Sequence, residues 1–140
     1  MTVSDTTAMI AGMTPVLMPG RWVYCRVDAM SEIGDAFAVI REAEGMTLIL
    51  PVDTAAAVGH DTSVVMRLIT LNVFSDLEGI GLTAAVATAL ADAGISCNVV
   101  AAYYHDHVFV GEADAQRAVV VLEALQREAA NPEWPTNPPL

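Results

Sequence analysis

Residues 74–110 read FSDLEGIGLTAAVATALADAGISCNVVAAYYHDHVFV, and the change of period inside that stretch decides the fold. Ser75-Asp76-Leu77-Glu78 is a helix-start pattern, with Ser75 or Asp76 as N-cap and Glu78 placed to close a capping box. Leu82, Val86 and Leu90 then recur at helical spacing beside Ala85, Ala89 and Ala93, giving one continuous apolar face. Gly94 offers the left-handed residue that ends a helix, and Ile95 can pack back over its last turn. At Ser96 the period shortens to two, and Asn98 to Tyr104 reads as a buried strand. Tyr104-His105-Asp106-His107 turns the chain, and Val108-Phe109-Val110 returns beside it. The pattern predicts a helix over 78–93 on a mainly antiparallel sheet, with strands near 67–74, 98–104 and 107–110.

Outward from this stretch, Met66–Phe74 is the preceding strand, with Ile69, Leu71 and Val73 on one face. Gly111 releases a last helix whose buried face is Ala118, Leu122, Leu125 and Ala129; Asn131-Pro132 ends it. Toward the N-terminus, Arg21–Val27 alternates, placing Val23, Cys25 and Val27 on one face. Phe37–Arg41 and Thr47–Leu50 form a hairpin across Ala43-Glu44-Gly45. Pro51 opens a short helix through Ala55 and Ala56 that stops at Gly59. A further short helix spans Ala8, Met9 and Ile10 and stops at Gly12. The fold class is therefore α+β, two small units joined near Met66–Phe74. They divide as an N-terminal unit over 1–63, a C-terminal unit over 64–130 and a proline-rich tail over 131–140. The second unit reads β-α-β-β-α and lacks a last strand, an edge that a strand of the first half can fill.

The totals exclude several classes. Of 140 residues, 54% are hydrophobic and 16% charged, so the chain is globular. Seventeen acidic against six basic residues give a net charge of −11, which argues against nucleic acid and anionic membranes as partners. All six basic residues are Arg; the absence of Lys removes Schiff-base chemistry and a P-loop. No apolar run is long enough to span a bilayer, and the N-terminal segment has no basic residue, so the expected location is the cytoplasm. Cys25 and Cys97 read as buried free thiols.

The helix ending in Ala91-Asp92-Ala93-Gly94-Ile95, preceded by a glycine-containing turn and flanked by strands, resembles the ACT domain. That is the regulatory module of aspartokinases and phosphoglycerate dehydrogenase. Residues 94–110, GISCNVVAAYYHDHVFV, are similar to small bacterial proteins made of two fused ACT-like units without a catalytic domain. The resemblance implies ferredoxin-like units, an antiparallel sheet with helices on one face, a homodimer, a possible partner enzyme, and an amino acid bound between units. By position, Gly81 matches the family's turn glycine, with Asp76 and Glu78 ahead of it. Ser96 and Asn98 fall where polar ligand contacts occur; Ile80 stands where many relatives carry Pro.

The residues offer a mechanism for such a site. Free N–H groups near Gly79 and Gly81 at a helix N-terminus can receive a carboxylate. Asp76 or Glu78 can take an ammonium group, and Ser96 or Asn98 can orient the ligand. Ile80, Leu82 and Val99 supply apolar contact, and Thr83 closes the turn; helix capping alone also accounts for the polar residues. His105 and His107, two apart, suggest a shared metal or a small enzyme site, but no further ligand cluster lies nearby in sequence, and Asp106 reads as turn former between solvated histidines. Trp22, Tyr24, Tyr103 and Tyr104 are pocket, core or interface aromatics. The expectation is a non-catalytic binder of an amino acid, with no cofactor and no metal. Its rivals are an assembly module pairing through a sheet edge and an enzyme using the histidines.

Overall fold

The computed structural model describes residues 5–28, 34–73 and 80–131. Helix α1 (Thr6–Ala11) leads into strands β1 (Pro15–Leu17) and β2 (Trp22–Val27), then the hairpin β3 (Ala38–Glu42) and β4 (Gly45–Pro51) and helix α2 (Val52–Ala57). Strand β5 (Met66–Leu71), helix α3 (Leu82–Asp92), strands β6 (Cys97–Ala101) and β7 (Asp106–Gly111) and helix α4 (Ala115–Ala130) complete the order.

All pairings are antiparallel, and the strands run β3-β4-β2-β5-β7-β6, with β1 also paired to β5. Strand β7 holds one edge of β5 from Met66 to Leu71, so β1 and β2 must share the other. Strand β1 takes Ile69 to Leu71, the Met18 N–H reaches Leu68 O at 2.8 Å, and β2 meets β5 only through Trp22 opposite Met66. The kink between them falls at Pro19-Gly20, where Gly20 has a φ of +103°, a region open to glycine at little cost. Thus β1 supplies the fourth strand of the ferredoxin-like half, in the order β1-β5-β7-β6.

Residues opposite each other in an antiparallel ladder point to the same side. The register therefore puts Trp22, Tyr24, Ile49, Leu68, Phe109 and Asn98 on one face, and Val23, Cys25, Leu48, Ile69, Val108 and Val99 on the other. The helices pack on the second face. Met9 and Ile10 of α1, Val86 and Leu90 of α3 and Ala118 and Leu122 of α4 join Ile69, Leu71, Val108 and Val110; Ala55 of α2 joins Val23, Cys25 and Leu48.

The face without helices is nevertheless closed: Ile49, Leu68 and Phe109 are 0%, 3% and 0% exposed. Phe37, whose N–H donates to Ile49 O, lies at the β3 end of the sheet. In a flat sheet β3 would stand about 19 Å from β7, four spacings of ~4.8 Å. Yet the Phe37 ring centroid is 5.2 Å from Phe109 and 5.1 Å from His107. The sheet is folded at the single β2–β5 pair, and its two halves close on each other through edge-to-face aromatics.

Sequence signals account for most boundaries. Gly94 has φ +74°, the Ile95 N–H reaches Leu90 O and the Gly94 N–H reaches Ala91 O, a Schellman cap on α3. Three expectations are corrected. First, α3 begins at Leu82 rather than 78, with Gly81 as N-cap; Ser75 to Glu78, the expected cap, lie outside the described residues. Gly81 has φ +104°, which no right-handed helix can contain. Second, β6 ends at Ala101, and the turn is Ala102–His105, where the Ala102 N–H donates to His105 O at 3.0 Å. Asp106 and His107 belong to β7 because they pair with Leu71 and Thr70 of β5. Third, β5 stops at Leu71; Phe74 lies outside the described residues.

Candidate functional site

The turn expected to hold a ligand leads into α3. Its members Asp76, Glu78 and Gly79 lie outside the described residues. Ile80 is 79% exposed. Gly81 caps the helix through its backbone, with no side-chain hydrogen bond. Helix α1 closes in on this turn: the Thr6 hydroxyl donates to Ile80 O, and a Cβ on Gly81 would lie 2.7 Å from Thr6 Cγ2. Leu82 is buried in the helix-side core, while Thr83 and Ser96 are exposed. Val99 packs toward the same core, but Asn98 points through the opposite face. There Asn98 joins Tyr24, Asp61, Ser63 and Met66 around a recess of about 280 Å³. The expected residues are thus divided between two faces of the sheet.

The histidines are not a solvated turn. His107 is half-buried in β7, with Nδ1 3.0 Å from the Thr70 hydroxyl and its ring edge-on to Phe37. Burial pushes its pKa down, the neighbouring His105 adds to this, and Asp106 opposes it. His105 Nδ1 lies 3.2 Å from Val73 O; a carbonyl can only accept, so that nitrogen carries the proton. Asp106 is buried rather than exposed at a turn tip. Among the described residues no group of three or more His, Cys, Asp or Glu side chains is placed to hold a metal ion. Neither Cys25 nor Cys97 is in a disulfide; the first is buried and the second half-buried.

A third place was not anticipated. At the seam where β2, α2 and β5 begin, a cleft of about 590 Å³ opens between Gly20, Arg21 and Trp22, the Pro51–Asp53 corner, and Arg67. Arg21 is held by Glu112 in a two-point ion pair, Nε to Oε2 at 2.5 Å and Nη2 to Oε1 at 3.0 Å. That hydrogen bond raises the Arg21 pKa and, helped by the charges of Arg21 and Arg67, lowers that of Glu112. Arg67 Nη2 donates to Met18 O at 3.2 Å. Trp22 Nε1 and Arg67 Nε are buried and have no hydrogen-bond partner among the described residues. Of the four aromatics singled out from sequence, Trp22 lines this cleft and Tyr24 the recess at Asn98. Tyr103 and Tyr104 stand exposed on the 102–105 turn, ring against ring.

Family models described as ACT domain match residues 63–124 and residues 2–67. No curated protein matches the chain. Among solved structures, a Vibrio cholerae protein of unknown function, described as a possible transport protein, is 45% identical. The match covers 83% of this chain and 92% of that one, with a TM-score of 0.76. An Agrobacterium tumefaciens protein is 16% identical over 80% of this chain and 87% of its own, with a TM-score of 0.64. A structure of aspartokinase alpha and beta subunits is 10% identical over 81% and 97%, with a TM-score of 0.58. The last two are likenesses of fold. Among the described residues no helix is long and apolar enough to cross a membrane.

Proposed function

Because the chain belongs to the ACT-domain superfamily, we propose that it is a non-catalytic regulatory or sensor protein that binds a small metabolite, an amino acid or a related carboxylate, at a boundary between two ACT-like units. The observation that carries this reading is the match of ACT-domain models to both halves of the chain. ACT domains typically regulate by binding small molecules, and the fold likeness to aspartokinase subunits points the same way. We place the protein in the cytoplasm as a homodimer, acting on a partner enzyme.

A thermal-shift screen of the purified protein against the twenty amino acids and simple organic acids tests the reading. A ligand at about 100 times its Kd should stabilise the native state by about 2.7 kcal/mol. If none of them shifts the transition at millimolar concentration, the ligand-binding reading fails.

A second reading, an assembly module pairing through a sheet edge, is favoured by one feature. Strand β3 ends the sheet, and its Val39 and Ile40 are 40% and 44% exposed. Light scattering of Val39→Lys separates the two: loss of the dimer without loss of ligand binding assigns the edge to assembly alone.

A further inference from the structure

The geometry points to the seam cleft, rather than the turn before α3, as the place where the ligand binds, with a free α-amino acid as its occupant. This rests on the reading above that the protein binds a small carboxylate, and it adds where and how.

Buried N–H groups are nearly always hydrogen-bonded, so an orphaned one asks for an acceptor. Here two orphans, Trp22 Nε1 and Arg67 Nε, belong to side chains that line one cleft. Among the described residues neither has a protein acceptor to give up when a ligand arrives. Arg67 is already tethered through Nη2 to Met18 O, so its guanidinium is fixed before binding. Gly20 keeps the ground beside the indole open: even a single Cβ there would lie 3.5 Å from Trp22 Nε1, and the φ of +103° disfavours any side chain.

The charge pattern points the same way. The chain has six Arg, no Lys and a net charge of −11, yet two of those arginines meet at this cleft. Glu112 occupies the Arg21 guanidinium with both carboxylate oxygens, whereas Arg67 Nε has no acceptor among the described residues. Asp53 provides a carboxylate on the same wall, and Pro51 and Val52 provide apolar surface. A ligand carboxylate in this cleft can accept from Arg67 Nε–H and Trp22 Nε1–H, with its ammonium group toward Asp53. The volume of about 590 Å³ lies within the range of small-molecule sites. At Gly81, by contrast, Thr6 already fills the space a ligand would need.

The indole N–H of Trp22 is a direct reporter. In a Trp134→Phe background it gives the sole indole cross-peak of a ¹⁵N-labelled protein. The probes are the twenty L-amino acids, propionate, ethylamine and inorganic phosphate, each added singly. The expected result is saturable movement of the Trp22 peak by one or more amino acids and none by ethylamine. Arg67→Met should weaken that binding about tenfold or more, and so should Trp22→Phe, measured by calorimetry, which keeps the ring and removes only the donor. Asp53→Asn should weaken an amino acid while leaving propionate unaffected.

An amino acid that stabilises the protein but leaves the Trp22 peak and the Arg67→Met affinity unchanged overturns the cleft and spares the functional reading. Loss of that binding in Thr83→Glu, which sets a carboxylate on the first turn of α3, does the same. Movement of the peak by phosphate alone overturns the amino-acid occupant. No stabilisation and no peak movement by any amino acid or simple organic acid overturns both.

Discussion

The two halves of the molecule are built to different standards of self-sufficiency. The second half backs β5, β7 and β6 with α1, α3 and α4, and its core runs from Met9 to Ala129. The first half backs β2 and β4 with the six-residue α2 and a much smaller core around Val23, Leu48 and Ala55. What the first half lacks in helices it recovers by folding its open face onto the second, so that Ile49 is buried with Leu68 and Phe109. The difference teaches that the halves are not independent modules placed side by side. The first depends on the aromatic face shared with the second, and the hinge between them is also where the seam cleft opens.

The largest expected effect comes from breaking that shared face. Phe109→Ala removes a fully buried ring touching Trp22, Tyr24 and Phe37, and should cost about 3–5 kcal/mol. Chemical denaturation will measure it, and native-state hydrogen exchange should show β2 and β4 losing more protection than β5 and β7. Equal loss in both halves would show that the second leans on the first just as heavily.

Gly81→Ala probes the second half alone. Its φ of +104° and the 2.7 Å approach to Thr6 Cγ2 make any side chain strained, so a cost above about 1 kcal/mol is expected. A neutral result would mean that α1 yields at this point, and that the helix layer is looser than its packing suggests.

A smaller effect is read through pH. The folded pKa of His107 is depressed by burial, so the unfolded chain binds its proton first as pH falls. The stability it contributes is full above the ordinary histidine value near 6.5, and is lost as pH drops through the lowered one. His107→Gln should flatten the stability profile in that window; an unchanged profile would assign the slope elsewhere. Smallest of all is the Arg21–Glu112 pair, which is half-exposed and screened by water. The Glu112 pKa is lowered, so its contribution is present above the ordinary carboxylate range and fades as pH falls through the depressed value. Glu112→Gln should barely move stability at neutral pH.

Local pattern made much of this fold legible. Leu82, Val86 and Leu90 with Gly94 marked α3, the alternation of Val23, Cys25 and Val27 marked β2, and Ala43-Glu44-Gly45 marked the hairpin, although Gly45 itself opens β4. The start of α3 was misread because Ser75 to Glu78 is a sound cap locally, whereas the backbone of Gly81 decides the matter from within. The turn before β7 was misread because Asp106 suits a turn by type, while its partner Leu71 lies far away in sequence. The candidate site was least legible. Asn98 and Val99 are neighbours in sequence but face opposite sides of a strand, as alternation requires. The seam cleft joins Trp22 to Arg67 through a fold in the sheet that no local period records, and Thr6 reaches Gly81 only because α1 docks on α3. One signal was available: in a chain with six arginines and no lysine, each arginine at the start of an apolar strand is a candidate for more than solubility.

The central claim is that a small amino acid binds across the two halves and fastens the seam between them. Hydrogen–deuterium exchange of the intact protein, with and without a saturating mixture of L-amino acids, tests it most directly. Strands β2 and β5 meet there through the single pair of Trp22 and Met66. The account predicts slowed exchange at the amides of residues 21–23 and 66–68, with residues 81–85 unchanged. Unaltered exchange at the seam, or protection confined to the start of α3, would contradict it.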